Sequence, residues 1–174
     1  MRYLAFILSL FLAVPVATAA VGEKPSLSKL YAAEHATIME AAAANDCTDP
    51  TLLCILFAIR SSENGRPGIE FGVLHPRAKD QPNSLRVQAG WCAATISKNH
   101  KRWLKSKEDV DFITFLGRRY CPVGADNDPN GLNKHWIKNV RTLTERNLRV
   151  HCGHDDRTCY KWKTAKEIAD ALND

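Results

Sequence analysis

The chain has 174 residues, 45% of them hydrophobic and 25% charged, with 9 glycines and 8 prolines. That balance excludes a disordered chain and a fibrous repeat, and it suits one domain large enough to bury a core. Basic residues number 24 against 19 acidic ones, for a net charge of +5, a mild excess that favours anionic surfaces without requiring nucleic acid.

Residues 1–19 read as a secretory signal. Arg2 gives a positive start, an almost unbroken apolar run follows, and Ala17-Thr18-Ala19 is a small-x-small cleavage site. The run is too short for a spanning helix, so an uncleaved anchor is the weaker alternative. Cleavage after Ala19 leaves 155 residues and a charge of +4, since the removed segment carries one arginine and no acid. The mature chain, 20–174, reads as a single domain with no later membrane span, secreted or periplasmic.

An exported chain meets oxidants, so six cysteines suggest three disulfides. Sequence alone does not select their pairing; Cys47–Cys54, Cys92–Cys121 and Cys152–Cys159 are the expected set. His151 and His154 beside the last pair look like a metal cluster, but an even cysteine count in an exported chain favours disulfides over zinc.

The rest reads as helix after helix. Residues 28–44 are alanine-rich, with Leu30, Ile38 and Ala41 available for burial. Asp49-Pro50 opens a second helix as N-cap and first-turn proline, and Asn64-Gly65 closes it. Residues 65–82 are a proline- and glycine-rich loop, with room for one short strand at 70–74. A third helix spans 84–105, with Leu85, Ala89, Cys92, Ile96 and Trp103 along one side. A fourth, 109–120, presents Phe112, Ile113, Leu116 and Tyr120, and a fifth starts near Asn133 and repeats Trp136, Val140 and Leu143. Thr164 and Glu167 form a capping-box pattern for a last helix. The expected class is therefore all-α, or α-rich α+β at most.

Glu63 breaks the pattern in an informative way. Leu52, Leu56 and Ile59 step along one face of the second helix, and one further step of four lands on Glu63. Burial and the negative end of the helix both disfavour a charged carboxylate there, and both raise its pKa. A carboxylic acid that keeps its proton near neutrality suits a general acid. The plainer alternative is a surface glutamate paired with Arg60 or Arg66.

Other groupings are weaker. Asp126, Asp128, Asn130 and Gly131 match the first half of an EF-hand loop, but Pro129 and Ile137 occupy positions that the motif gives to other residues. A turn capping the next helix is the better reading. Lys98, His100, Lys101, Arg102 and Lys105 surround Trp103, a run more typical of a solvated helix end than of a nucleic-acid site. Cysteine–histidine nucleophilic catalysis is disfavoured by the expected disulfides.

A hydrophobic helix ending in Ala58-Ile59-Arg60-Ser61-Ser62-Glu63-Asn64-Gly65, then Glu70-Phe71-Gly72-Val73-Leu74 and a long helix, resembles the lysozyme-like superfamily. The likeness is to the lytic transglycosylases and goose-type lysozymes in particular. Arg119-Tyr120-Cys121-Pro122 and the stretch from Asn127 through Trp136 to Val140 are similar to the part that closes the other side of the family's sugar cleft. The resemblance covers roughly residues 50–143. It implies a lysozyme-like helical domain in which Glu63 is the catalytic acid, Gly72 and Val73 are cleft backbone, Tyr120 positions the sugar or the glutamate, and Trp136 stacks or packs. The chain departs from the family at Asn64, where a serine is usual, and at Gly72-Val73-Leu74-His75 in place of Gly-Leu-Met-Gln.

The expected function is cleavage of the glycan strand of peptidoglycan or another N-acetylhexosamine polymer, by a muramidase or lytic transglycosylase, with no cofactor and no metal. Should water be the nucleophile, Glu70 and Asp80 are the nearest candidates for a second acid. The alternatives are a non-catalytic glycan- or partner-binding module on the same fold, and a small disulfide-rich inhibitor or adhesion protein without a cleft.

Overall fold

Asp49 and Pro50 begin the helix around which the other elements are arranged. The computed structural model describes residues 26–152 and 162–172; the expected signal segment lies outside them. The helices are α1 (Leu27–Leu30), α2 (His35–Ala43), α3 (Pro50–Glu63), α4 (Ser84–Ser106), α5 (Phe112–Tyr120), α6 (Trp136–Cys152) and α7 (Ala165–Ala171), with a 3-10 turn (Leu132–His135) before α6.

Asp49 Oδ1 accepts from the backbone N–H groups of Thr51 and Leu52 at 2.8 and 3.1 Å, satisfying two donors that the first turn of α3 leaves open. Every side chain from Leu52 to Ile59 is buried. A helix apolar on all sides must be surrounded, and α3 packs most extensively on α6, with α4 and α2 on its other flanks. The buried apolar side chains form one continuous cluster. Among the described residues no helix is long and apolar enough to cross a membrane.

The all-α expectation stands for the described residues, whose one bridge, Asp111 to Thr164, is isolated. Thr164 and Glu167 form the expected capping box on α7. Three expectations need correction. The helix expected over 28–44 is two, because the chain turns at Tyr31 (φ −124°). There the phenol is drawn onto α3, bonding the Phe57 carbonyl at 3.0 Å and Ser61 Oγ at 2.7 Å.

The short strand expected at 70–74 is a turn segment. Its backbone finds a side-chain partner in place of a neighbouring strand: Gln88 of α4 accepts from Val73 N–H at 3.1 Å and donates to the Val73 carbonyl at 2.9 Å.

The expected disulfides Cys47–Cys54 and Cys92–Cys121 are not formed. Cys47, Cys92 and Cys121 are free thiols, and each faces a different neighbour. Cys47 lies beside Ser97 of α4, and Cys92 Sγ is 3.5 Å from the Tyr120 hydroxyl. Cys121 follows α5, within electrostatic reach of Glu63 and Asp128. Cys159 lies outside the described residues, and the third pair with it.

Candidate functional site

Glu63 is the last residue of α3, and Asn64 ends the helix in the left-handed conformation (φ 43°). The partly buried carboxyl is held from two sides. Trp136, the first residue of α6, donates its indole N–H to Glu63 Oε1 at 2.8 Å. The other oxygen lies against Gly72: a Cβ there would fall 2.4 Å from Oε2 and 2.8 Å from Cδ. Gly72 also has φ +70°, a conformation side-chain-bearing residues rarely adopt. Only glycine meets both conditions.

Tyr120, at the end of α5, ties these pieces together. Its ring stacks on Trp136 with centroids 5.4 Å apart, and its hydroxyl donates to the Phe71 carbonyl, next to Gly72, at 2.6 Å. Trp136 can approach α5 because residue 117 is glycine: a Cβ there would meet the indole at 3.1 Å. The turn that delivers Trp136 is fixed by Asp128, which accepts from Leu132 N–H at 2.7 Å and Asn133 N–H at 3.1 Å. The capping reading of this acidic turn is therefore the observed one.

Glu63 and Trp136 border a cleft of about 350 Å³ whose walls also include Cys121, Asn133, His135 and Asn139. Glu63 is the one acid among its lining residues. Burial raises the Glu63 pKa, and the Trp136 hydrogen bond offsets part of that rise. The phenol of Tyr120 is pushed well up, again chiefly by burial, so it stays a neutral hydrogen-bond donor.

The structure thus brings Glu63, Gly72, Tyr120 and Trp136 together. Gly72 and Tyr120 do not line the cleft; the first packs on the acid, and the second backs the indole. Val73 is not a lining residue either, and both of its backbone polar groups engage Gln88.

The two candidates for a second acid are engaged elsewhere. Glu70 is buried and accepts from Ser84 Oγ at 2.5 Å, while Asp80 pairs with Arg66 at 3.0 Å on the surface. Trp103 turns into the core: it is buried, stacks on His100 with centroids 5.5 Å apart, donates to the Val110 carbonyl at 2.8 Å and packs on Phe112. Among the described residues no three His, Cys, Asp or Glu side chains are grouped as a metal site needs.

Sequence reasoning did not single out Gln88, Asn133, His135 or Asn139. Asn133, His135 and Asn139 lie in the stretch that resembles the far side of the family's cleft, and Gln88 carried its own signal, a polar residue on the apolar stripe of α4 between Leu85 and Cys92. No family model, curated protein or solved structure matches the chain.

Proposed function

We propose that this chain cleaves the glycan strand of peptidoglycan, or of a related N-acetylhexosamine polymer, with Glu63 as the general acid. The observation that carries the reading is one carboxyl at the edge of a cleft, fastened by an indole N–H and a glycine, with burial favouring its protonated form. An acid in that state donates its proton to the oxygen of the glycosidic bond as the bond breaks.

The oxocarbenium-like centre that develops needs a second group, and the cleft lining offers no second carboxylate. The carbonyl oxygen of the substrate's own N-acetyl group fills that role in substrate-assisted cleavage. Glu63, now ionised, then takes back a proton. Its source is water if the product is a reducing end, or a hydroxyl of the same sugar if an anhydro end forms. The basic net charge suits an anionic polymer, and the signal-like N-terminus favours a reaction outside the cytoplasm.

The test is clearing of purified cell walls by the parent and by Glu63→Gln. The proposal expects clearing by the parent alone, and mass analysis of the fragments then separates reducing from anhydro ends. Glycan binding by both proteins without clearing by either would replace the enzyme with the binding module.

A further inference from the structure

The side chain of Gln88 is wholly buried, and every hydrogen-bonding position of its amide is used. Oε1 accepts from the N–H groups of Phe71 and Val73 at 3.3 and 3.1 Å. The two Nε2 hydrogens serve three carbonyls, those of Val73, Ala78 and Gly68 at 2.9, 3.0 and 3.2 Å, one hydrogen being shared. One side chain from α4 therefore grips four residues of the 68–78 loop.

The grip is centred on one residue. Phe71 and Val73 are the two neighbours of Gly72, and Gly72 is the residue against Glu63 Oε2. Among the described residues no strand lies beside this segment, so no backbone ladder from them holds it. Gly72 N–H bonds back to the Ile69 carbonyl at 2.9 Å, and Tyr120 fixes the Phe71 carbonyl from the other side. The flanks are also held by the Phe71 side chain, which is wholly buried in the core with Val73 packed against it, and their backbone N–H groups by the Gln88 amide.

We infer that Gln88 is a positioning residue for the Glu63 site: its amide presses Gly72 onto the carboxyl and keeps water from that oxygen. This rests on the reading of Glu63 as the acid, and it gives that acid's environment a cause on the next helix. Without the amide, Phe71 N–H and Val73 N–H lose their acceptor, the segment loosens, and water reaches Oε2. Solvation favours the ionised carboxylate, so the proton the reaction needs would leave at lower pH.

The test is Gln88→Met, which keeps the length of the side chain and removes the amide, with Gln88→Asn as a milder variant that retracts the amide by one methylene. The readout is the titration of the Glu63 side-chain carbonyl by NMR without substrate, alongside the pH profile of wall clearing per folded molecule. The inference expects the Glu63 midpoint and the alkaline limb to fall together, with about a tenfold loss of clearing above the parent's midpoint. A merely structural role lowers the melting temperature and leaves both unmoved in the folded variants, and that result overturns the inference.

Hydrogen exchange in the unaltered protein decides the matter should neither variant fold: slow exchange at Phe71 and Val73 N–H supports the grip, and unprotected exchange there overturns it. The two readings fail separately. A fallen midpoint in the Gln88 variants, with a parent that never clears walls, leaves the positioning role standing and removes the glycan chemistry. Clearing that needs Glu63, with an unmoved midpoint, does the reverse.

Discussion

The indole N–H of Trp136 meets Glu63 Oε1 at 2.8 Å, joining the first residue of α6 to the last residue of α3. That bond favours the ionised carboxylate and opposes the larger effect of burial. Trp136→Phe keeps a ring for Tyr120 to stack on and removes the donor. The Glu63 pKa is then expected to rise further, moving the alkaline limb of wall clearing to higher pH, at a cost of about 1 kcal/mol in stability. An NMR titration of Glu63 checks the direction, and a downward move contradicts the account.

The same acid makes stability depend on pH. Its folded pKa lies above the unfolded value, because burial raises it more than Trp136 lowers it. The stabilisation this gives is full below the ordinary carboxylate range and is lost as pH rises through the folded pKa. Glu63→Gln stays neutral throughout and still offers Trp136 an acceptor. Parent and variant should melt together below about pH 4, and the variant should melt higher in alkaline buffer. A gap of constant size at every pH would rule this out.

Much of the frame was legible because it rests on local chemistry. Asp49-Pro50 and Asn64-Gly65 bracket α3 at the observed ends, and the Thr164–Glu167 box caps α7. Glu63 was legible by its place on an apolar stripe. Gln88 sits on the stripe of α4 in the same way, so the rule that found the acid applies equally to the residue gripping its loop. The break at Tyr31 was hidden because its cause, the α3 partners of one hydroxyl, is remote in sequence. The thiols were misread for a related reason: cysteine spacing does not say which helix each side chain faces.

Tyr31 supports a second prediction about stability. Its hydroxyl bonds the Phe57 carbonyl and Ser61 of α3 and accepts from Arg146 of α6 at 3.1 Å. Tyr31→Phe strips these partners of a shared atom in a part-buried setting, which costs about 1–3 kcal/mol. Urea unfolding should show a lower midpoint with an unchanged slope, and the Glu63 titration should stay where it is.

Gly72→Ala is expected to be the most damaging single methyl group near the site. The added Cβ collides with the Glu63 carboxyl and must adopt φ +70°, a strain of about 1–3 kcal/mol. Either the loop retreats or the carboxyl leaves the Trp136 N–H. Both outcomes disturb the acid, so clearing should fall at least about a hundredfold, the lower end of what a positioned general acid contributes. A folded Gly72→Ala protein with parental activity would show that the glycine merely fills space.

Cys121 offers a chemical reporter on the cleft. It lines the same walls as Glu63 and is partly exposed, whereas Cys47 and Cys92 are fully buried. Alkylating reagents should therefore modify Cys121 in the native protein, and Cys47 and Cys92 only after unfolding, as peptide mass mapping would show. Burial first, then the carboxylates of Glu63 and Asp128, push its thiol up to about 11. Labelling should thus be slow at neutral pH and quicken about tenfold per pH unit below that value, because the thiolate is the nucleophile. Glu63→Gln removes one of the two charges, so Cys121 should label faster in the variant wherever the parent's Glu63 is ionised. Equal rates in the two proteins across that range would mean that the thiol and the acid do not share the cleft as described.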